Sequence, residues 1–170
     1  MKNSFFFMIA FITLLATACN ENQITEFTQS DLEQIQQDPN WVEITDIDTV
    51  SDNAPFNDLT EGGILVRSEK QLLEIYNLFE QGFAHGLDTL DLDFKNRDHI
   101  LYVITSSPSE YKRSLMINDV TKEVMYIVEV QMKDRTYRLD YWSEWISIPK
   151  INQRYVFRTR TIVKAPINHN

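Results

Sequence analysis

Serines beside a proline, three scattered histidines and two groups of aspartates are the side chains here whose types could do chemistry. Ser106, Ser107 and Ser109 surround Pro108. A nucleophilic serine needs a base held against it. The histidines, His85, His99 and His169, lie far apart, and none is placed in sequence to serve these serines. The glycines are Gly62, Gly63, Gly82 and Gly86, so no G-x-S-x-G elbow exists. Residues 106–111 therefore read as a turn built on Pro108.

The aspartates offer oxygen ligands. Asp88, Asp91 and Asp93 follow His85, while Asp46, Asp48 and Asp52 form a second group. Calcium takes six to eight oxygens, but neither string has the Asp-x-Asp-x-Asp-Gly spacing with a glutamate downstream. Asp91 and Asp93 alternate with Leu90, Leu92 and Phe94, which fits a solvated face beside a buried one. A glycosidase pair needs two carboxyls across a cleft, and 25 acidic residues always permit some imagined pair. No catalytic residue, metal or cofactor is expected, and the chain is read as a non-enzyme.

Aromatic residues carry the remaining candidates. If residues 137–145 form one strand, Trp142 shares a face with Arg138, Asp140 and Glu144. Trp145 then falls on the other face with Tyr137, Leu139 and Tyr141. A break near Tyr141 would change both faces. The continuous strand makes Trp145 a core residue and leaves Trp142 exposed among charges, where aromatics favour recognition. Trp142, Arg138 and Tyr111, which closes the 106–111 turn, are the candidate binding residues.

What positions these residues begins with the amino terminus. Lys2 precedes an apolar run of eleven residues, 5–15, broken only by Thr13; Ala16, Thr17 and Ala18 then lead to Cys19. Charge, apolar stretch and small residues are the parts of a secretory signal. The run is too short for the roughly 20 residues of a membrane-spanning helix. The chain's single cysteine lies where a lipoprotein signal peptidase leaves the lipidated residue, although Ala16 stands where leucine is commoner. Lipidation at Cys19, palmitate included, is expected. A lone cysteine also excludes a disulfide framework in the mature chain.

Removing residues 1–18 from 170 leaves 152, enough for one domain. The mature chain would carry 15 basic against 25 acidic residues. Such a charge repels nucleic acid and anionic head groups, so acyl chains must do the anchoring.

Residues 19–40 are polar and read as a lipidated tether, with Ser30 able to cap a short helix before Pro39. Residues 41–165 form the domain, and 166–170 a tail. Strands are expected at 41–48, 64–67, 100–104, 115–118, 124–133, 137–148 and 154–163. Ser68 and Gln71 form a capping box for a helix whose apolar stripe is Leu72, Leu73, Tyr76 and Phe79, ending at Gly82. Residues 100–104 are apolar on both faces, as a central strand requires. Arg154, Arg158 and Arg160 alternate with Tyr155 and Phe157 and should face water. The expected fold class is α+β, a mostly antiparallel sheet of about six to seven strands with one main amphipathic helix.

The order of Ile64-Leu65-Val66-Arg67-Ser68 into a helix, Leu92-Asp93-Phe94 before an apolar strand, and Ile146-Ser147-Ile148-Pro149-Lys150 before the last strand resembles a known family. It is the C-terminal domain of the protease-complex accessory subunit family, the PrcB type, which includes many small envelope lipoproteins. The resemblance covers about residues 62–161. Relatives carry a glycine-rich turn where this chain has residues 106–111. The resemblance implies an accessory or binding role and hands over no catalytic residues. The expected protein is a lipid-anchored, non-catalytic interaction module of the cell envelope, on the outer membrane, periplasmic or surface side, with an envelope protein as partner. The alternative is a glycan- or peptide-binding lipoprotein using exposed aromatics.

Overall fold

A computed structural model of the chain describes residues 26–51, 62–78, 92–105, 108–132 and 141–164. In chain order these residues form α1 (Gln29–Gln37), β1 (Trp41–Glu43), β2 (Asp48–Ser51), β3 (Gly62–Val66), α2 (Glu69–Leu78), β4 (Arg97–Thr105), β5 (Pro108–Asn118), β6 (Glu123–Met132), β7 (Tyr141–Pro149) and β8 (Val156–Lys164). The fold is α+β and mostly sheet, as expected. It has two four-stranded sheets, ordered β1-β5-β6-β8 (sheet A) and β2-β7-β4-β3 (sheet B). Their inner faces share one core that includes Ile100, Tyr102, Leu115, Val124, Tyr126, Val128 and Ile146.

Each outer face carries one helix over part of its area. On sheet A, α1 places Leu32 and Ile35 over Met116, Met125, Ile127 and Ile162. On sheet B, α2 places Leu72 and Ile75 over Val66, Leu101, Val103 and Trp145. Strand β4 lies inside sheet B with residues 100–104 buried on both faces, which is why the sequence there is apolar without alternation.

The expected strand at 41–48 is two strands in different sheets. Ile44 and Ile47 both pack against the inter-sheet core. Residues three apart point to opposite faces of a straight strand, so the chain must turn between them. It does so with Ile47 N–H donating to the Thr45 carbonyl at 2.9 Å.

Residues before 41 also pack on the sheets, with Phe27, Leu32 and Ile35 against sheet A. The helix expected near Ser30 is present but is capped by Thr28, whose hydroxyl accepts from Asp31 N–H while the Asp31 carboxylate accepts from Thr28 N–H. Leu32 is only 1% exposed, so α1 is part of the folded unit rather than tether. In α2, Ser68 accepts from Gln71 N–H, but the Gln71 side chain bonds Arg67 N–H and the Leu65 carbonyl instead of closing the box on Ser68. Among the described side chains the stripe is Leu72 and Ile75, the Tyr76 side chain lying outside them. Leu73 is 59% exposed because it lies about 100° around the helix from Leu72. Phe79 and Gly82 lie outside the described residues, as does the tail expected at 166–170.

Among the described residues all pairings are antiparallel except β6 with β8, which run parallel with β7 crossing through the other sheet between them. Next to β8, the β3 edge approaches unusually closely. Gly63 N–H donates to Thr159 Oγ1 at 3.2 Å, and a Cβ on Gly63 would lie 2.6 Å from Thr159 Cγ2. Tyr102 Oη and Thr161 Oγ1, 2.5 Å apart, continue this seam between the sheets.

Candidate functional site

Strand β7 alternates as the sequence suggests. Trp142 and Glu144 point into the core between the sheets, whereas Trp145 points outward beneath α2. The inner face is not water-facing, however. Trp142 is half-buried, its ring 4.4 Å from that of Tyr111 and 6.3 Å from that of Tyr102. Two of the three candidate binding residues, Trp142 and Tyr111, are therefore brought together. Arg138 lies outside the described residues, and so does Cys19. Tyr111 belongs to β5 rather than to a turn, because that strand already begins at Pro108.

Beside this aromatic pair lies a buried ion network that the sequence did not single out. Glu144 is 0% exposed. Its Oε2 accepts from Arg113 Nη1 at 3.0 Å, and its Oε1 accepts from the Tyr126 hydroxyl. Arg113 Nη2 donates to Thr49 Oγ1 at 2.6 Å. Arg113 and Tyr126 come from sheet A, Glu144 and Thr49 from sheet B, so the network ties the sheets together. Burial, reinforced by the neighbouring Glu144 carboxylate, pushes the Tyr126 phenol far above its ordinary range, so it stays a donor.

A second buried carboxylate sits at the start of β4. Asp98, 1% exposed, accepts from Lys150 Nζ and from Ile151 N–H, both at 2.9 Å; Arg67 Nε lies 3.7 Å from its Oδ2. Asp93 accepts from Lys95 N–H, Asn96 N–H and Asn96 Nδ2, and these bonds, led by Asn96, hold its carboxyl below the usual range. Phe94 packs edge-on against His99 at 4.9 Å. Arg67, Asp93, Phe94 and Lys150 thus converge around Asp98 and His99. They hold structure together at one end of sheet B.

The described members of the two acidic groups, Asp46, Asp48 and Asp93, are engaged by other side chains and backbone donors. Asp46 and Asp48 bind the Arg97 guanidinium at 2.7 and 3.0 Å, and Arg97 also donates to Ser147. Asp52, Asp88 and Asp91 lie outside the described residues. Among the described residues no three His, Cys, Asp or Glu side chains are arranged to hold a metal ion, and no helix is long and apolar enough to cross a membrane. A shallow depression of about 120 Å³ lies on the outer face of sheet A, lined by Glu110, Tyr111, Lys112, Glu129, Gln131 and Lys164. Lys164 Nζ and Glu129 Oε2 pair within it at 2.5 Å.

Chemically, both buried carboxylates are occupied by cations and hydrogen-bond donors, which suits them to hold elements in place. Glu144 and Asp98 were missed because a sequence shows an acidic residue in a strand without showing which cation crosses to it. The alternation of Glu144 with Trp145 did fix its face. Among family models, curated proteins and solved structures, nothing matches this chain.

Proposed function

We propose that this chain is a lipid-anchored, non-catalytic accessory module of the bacterial cell envelope, held by acyl chains on Cys19 and acting by binding an envelope protein. The observation that carries this reading is Cys19 itself, the chain's one cysteine, placed directly behind an apolar run and three small residues. The folded unit lends support, since Phe27 already packs with α1 on sheet A, eight residues beyond Cys19. Eight residues reach at most about 28 Å. The domain would therefore stay close to its bilayer, and its partner would have to lie at the same membrane.

The glycan- or peptide-binding reading has less to stand on, because Tyr111 and Tyr102 take up the Trp142 ring. Native protein isolated from membranes should have the mass of a triacylated chain beginning at Cys19, and Cys19→Ala should move it to the soluble fraction. Crosslinking in intact cells should then join the wild-type domain to one recurrent membrane-associated protein. An unmodified amino terminus would remove the anchor, and the absence of any crosslinked partner would remove the accessory role.

A further inference from the structure

Imidazole is seldom buried without a partner, because each ring nitrogen stripped of water must find a donor or acceptor. His99 is such an exception. It is 1% exposed, and neither Nδ1 nor Nε2 completes a hydrogen bond among the described residues, the Asp93 backbone being the polar group set against the ring. The residue lies in β4, opposite Val66 of β3 on one side and Ser147 of β7 on the other. On this face of the sheet, Leu101, Val103 and Trp145 are covered by Leu72 and Ile75 of α2 and by Phe94 from the 93–96 turn. Phe94 closes edge-on over the ring.

We propose that His99 is a proton-operated latch for the outer layer of sheet B: the neutral ring lets Phe94 and α2 close over it, and protonation drives it toward water and opens that layer. The charged surroundings support this direction. Burial is the largest influence and lowers the affinity of the ring for a proton. The Asp93 backbone and the Asp98 carboxylate oppose it, while Lys150 and Arg97 add to it. Asp98 is already engaged by Lys150 and Ile151, with Arg67 3.7 Å away, and Arg97 by Asp46 and Asp48. The described residues that α2 lays on this layer, Leu72 and Ile75, carry no charge. The Asp93 carboxylate of the covering turn is held by Lys95 and Asn96, so among the described residues no anion there is free to receive an imidazolium.

The sign follows. A base whose folded pKa lies below its unfolded value of about 6.5 favours the open state as pH falls through 6.5, and the effect levels off below the folded value. Opening releases one proton-binding site, so its equilibrium constant should rise by up to about tenfold per pH unit within that window.

Hydrogen exchange of the full chain, corrected for the intrinsic pH dependence, tests this from pH 7.5 to 5.0. Residues 69–78 and 92–99 should lose protection on acidification, while the α1 layer, 29–37, should not. His99→Leu, which fills similar space without titrating, should abolish the response, whereas the double variant His85→Gln/His169→Gln should keep it. If His99→Leu does not fold, the ring resonance of His99 in the wild type decides, and it should titrate below 6.5. An acid response that survives His99→Leu, protection that ignores pH in the wild type, or a ring titrating at 6.5 or above would each overturn the latch.

Discussion

Glu144 and Asp98 lie on the inner face of the same sheet, both shut away from water, yet they are held by different means. Glu144 receives a guanidinium and a phenol, each reaching across from the opposite sheet. Asp98 receives a backbone N–H and an ammonium from residues 150 and 151, which immediately follow its neighbouring strand in the same sheet. One carboxylate joins two layers; the other clasps a loop. A buried charge is tolerated only when paired and hydrogen-bonded. The lesson is that the partner's origin determines what the pair stabilises.

The largest expected effect breaks the inter-layer pair. Arg113→Met should cost about 3–5 kcal/mol in urea unfolding, because it strands a fully buried carboxylate. Adding Glu144→Leu should restore much of that loss, since the uncompensated charge is then gone. At the other end, Asp98→Ala should cost about 2–3 kcal/mol by leaving the buried Ile151 N–H without an acceptor. Lys150→Met should cost only about 1 kcal/mol, because the ammonium is partly exposed and Asp98 keeps its backbone donor. Thr49→Val should be smallest, about 0.5–1 kcal/mol, with Arg113 still bound to Glu144. If Lys150→Met proved as damaging as Arg113→Met in the same titration, the distinction between staple and clasp would collapse.

Much of this arrangement was legible in residue patterns. The doubly apolar run 100–104 identified the central strand, and the alternation around Trp145 assigned both faces of β7. The capping residue Ser68 marked where α2 begins. Other parts depended on contacts between distant segments. Nothing local distinguishes Ile44 and Ile47 as core residues on either side of a bend, so β1 and β2 looked like one strand. The parallel partner of β8 is a strand more than twenty residues earlier, and sequence neighbours do not reveal it. Trp142 was read as exposed because the charges sharing its face imply water when their cation is unseen. Arg113, 31 positions upstream of Glu144, converts that face into core.

The parallel seating of β8 bears on how the molecule assembles. Its backbone ladder among the described residues is made with β6, and the side chains of Thr159 and Thr161 hydrogen-bond β3 and β4. During synthesis, sheet A lacks one of its four strands until every other described element has left the ribosome. Until then β6 presents an unpaired backbone edge, and the apolar interior stays open on that side. Pairings between segments so far apart close slowly. A chain of this topology gains from meeting a binder of nascent polypeptides before its final strand arrives.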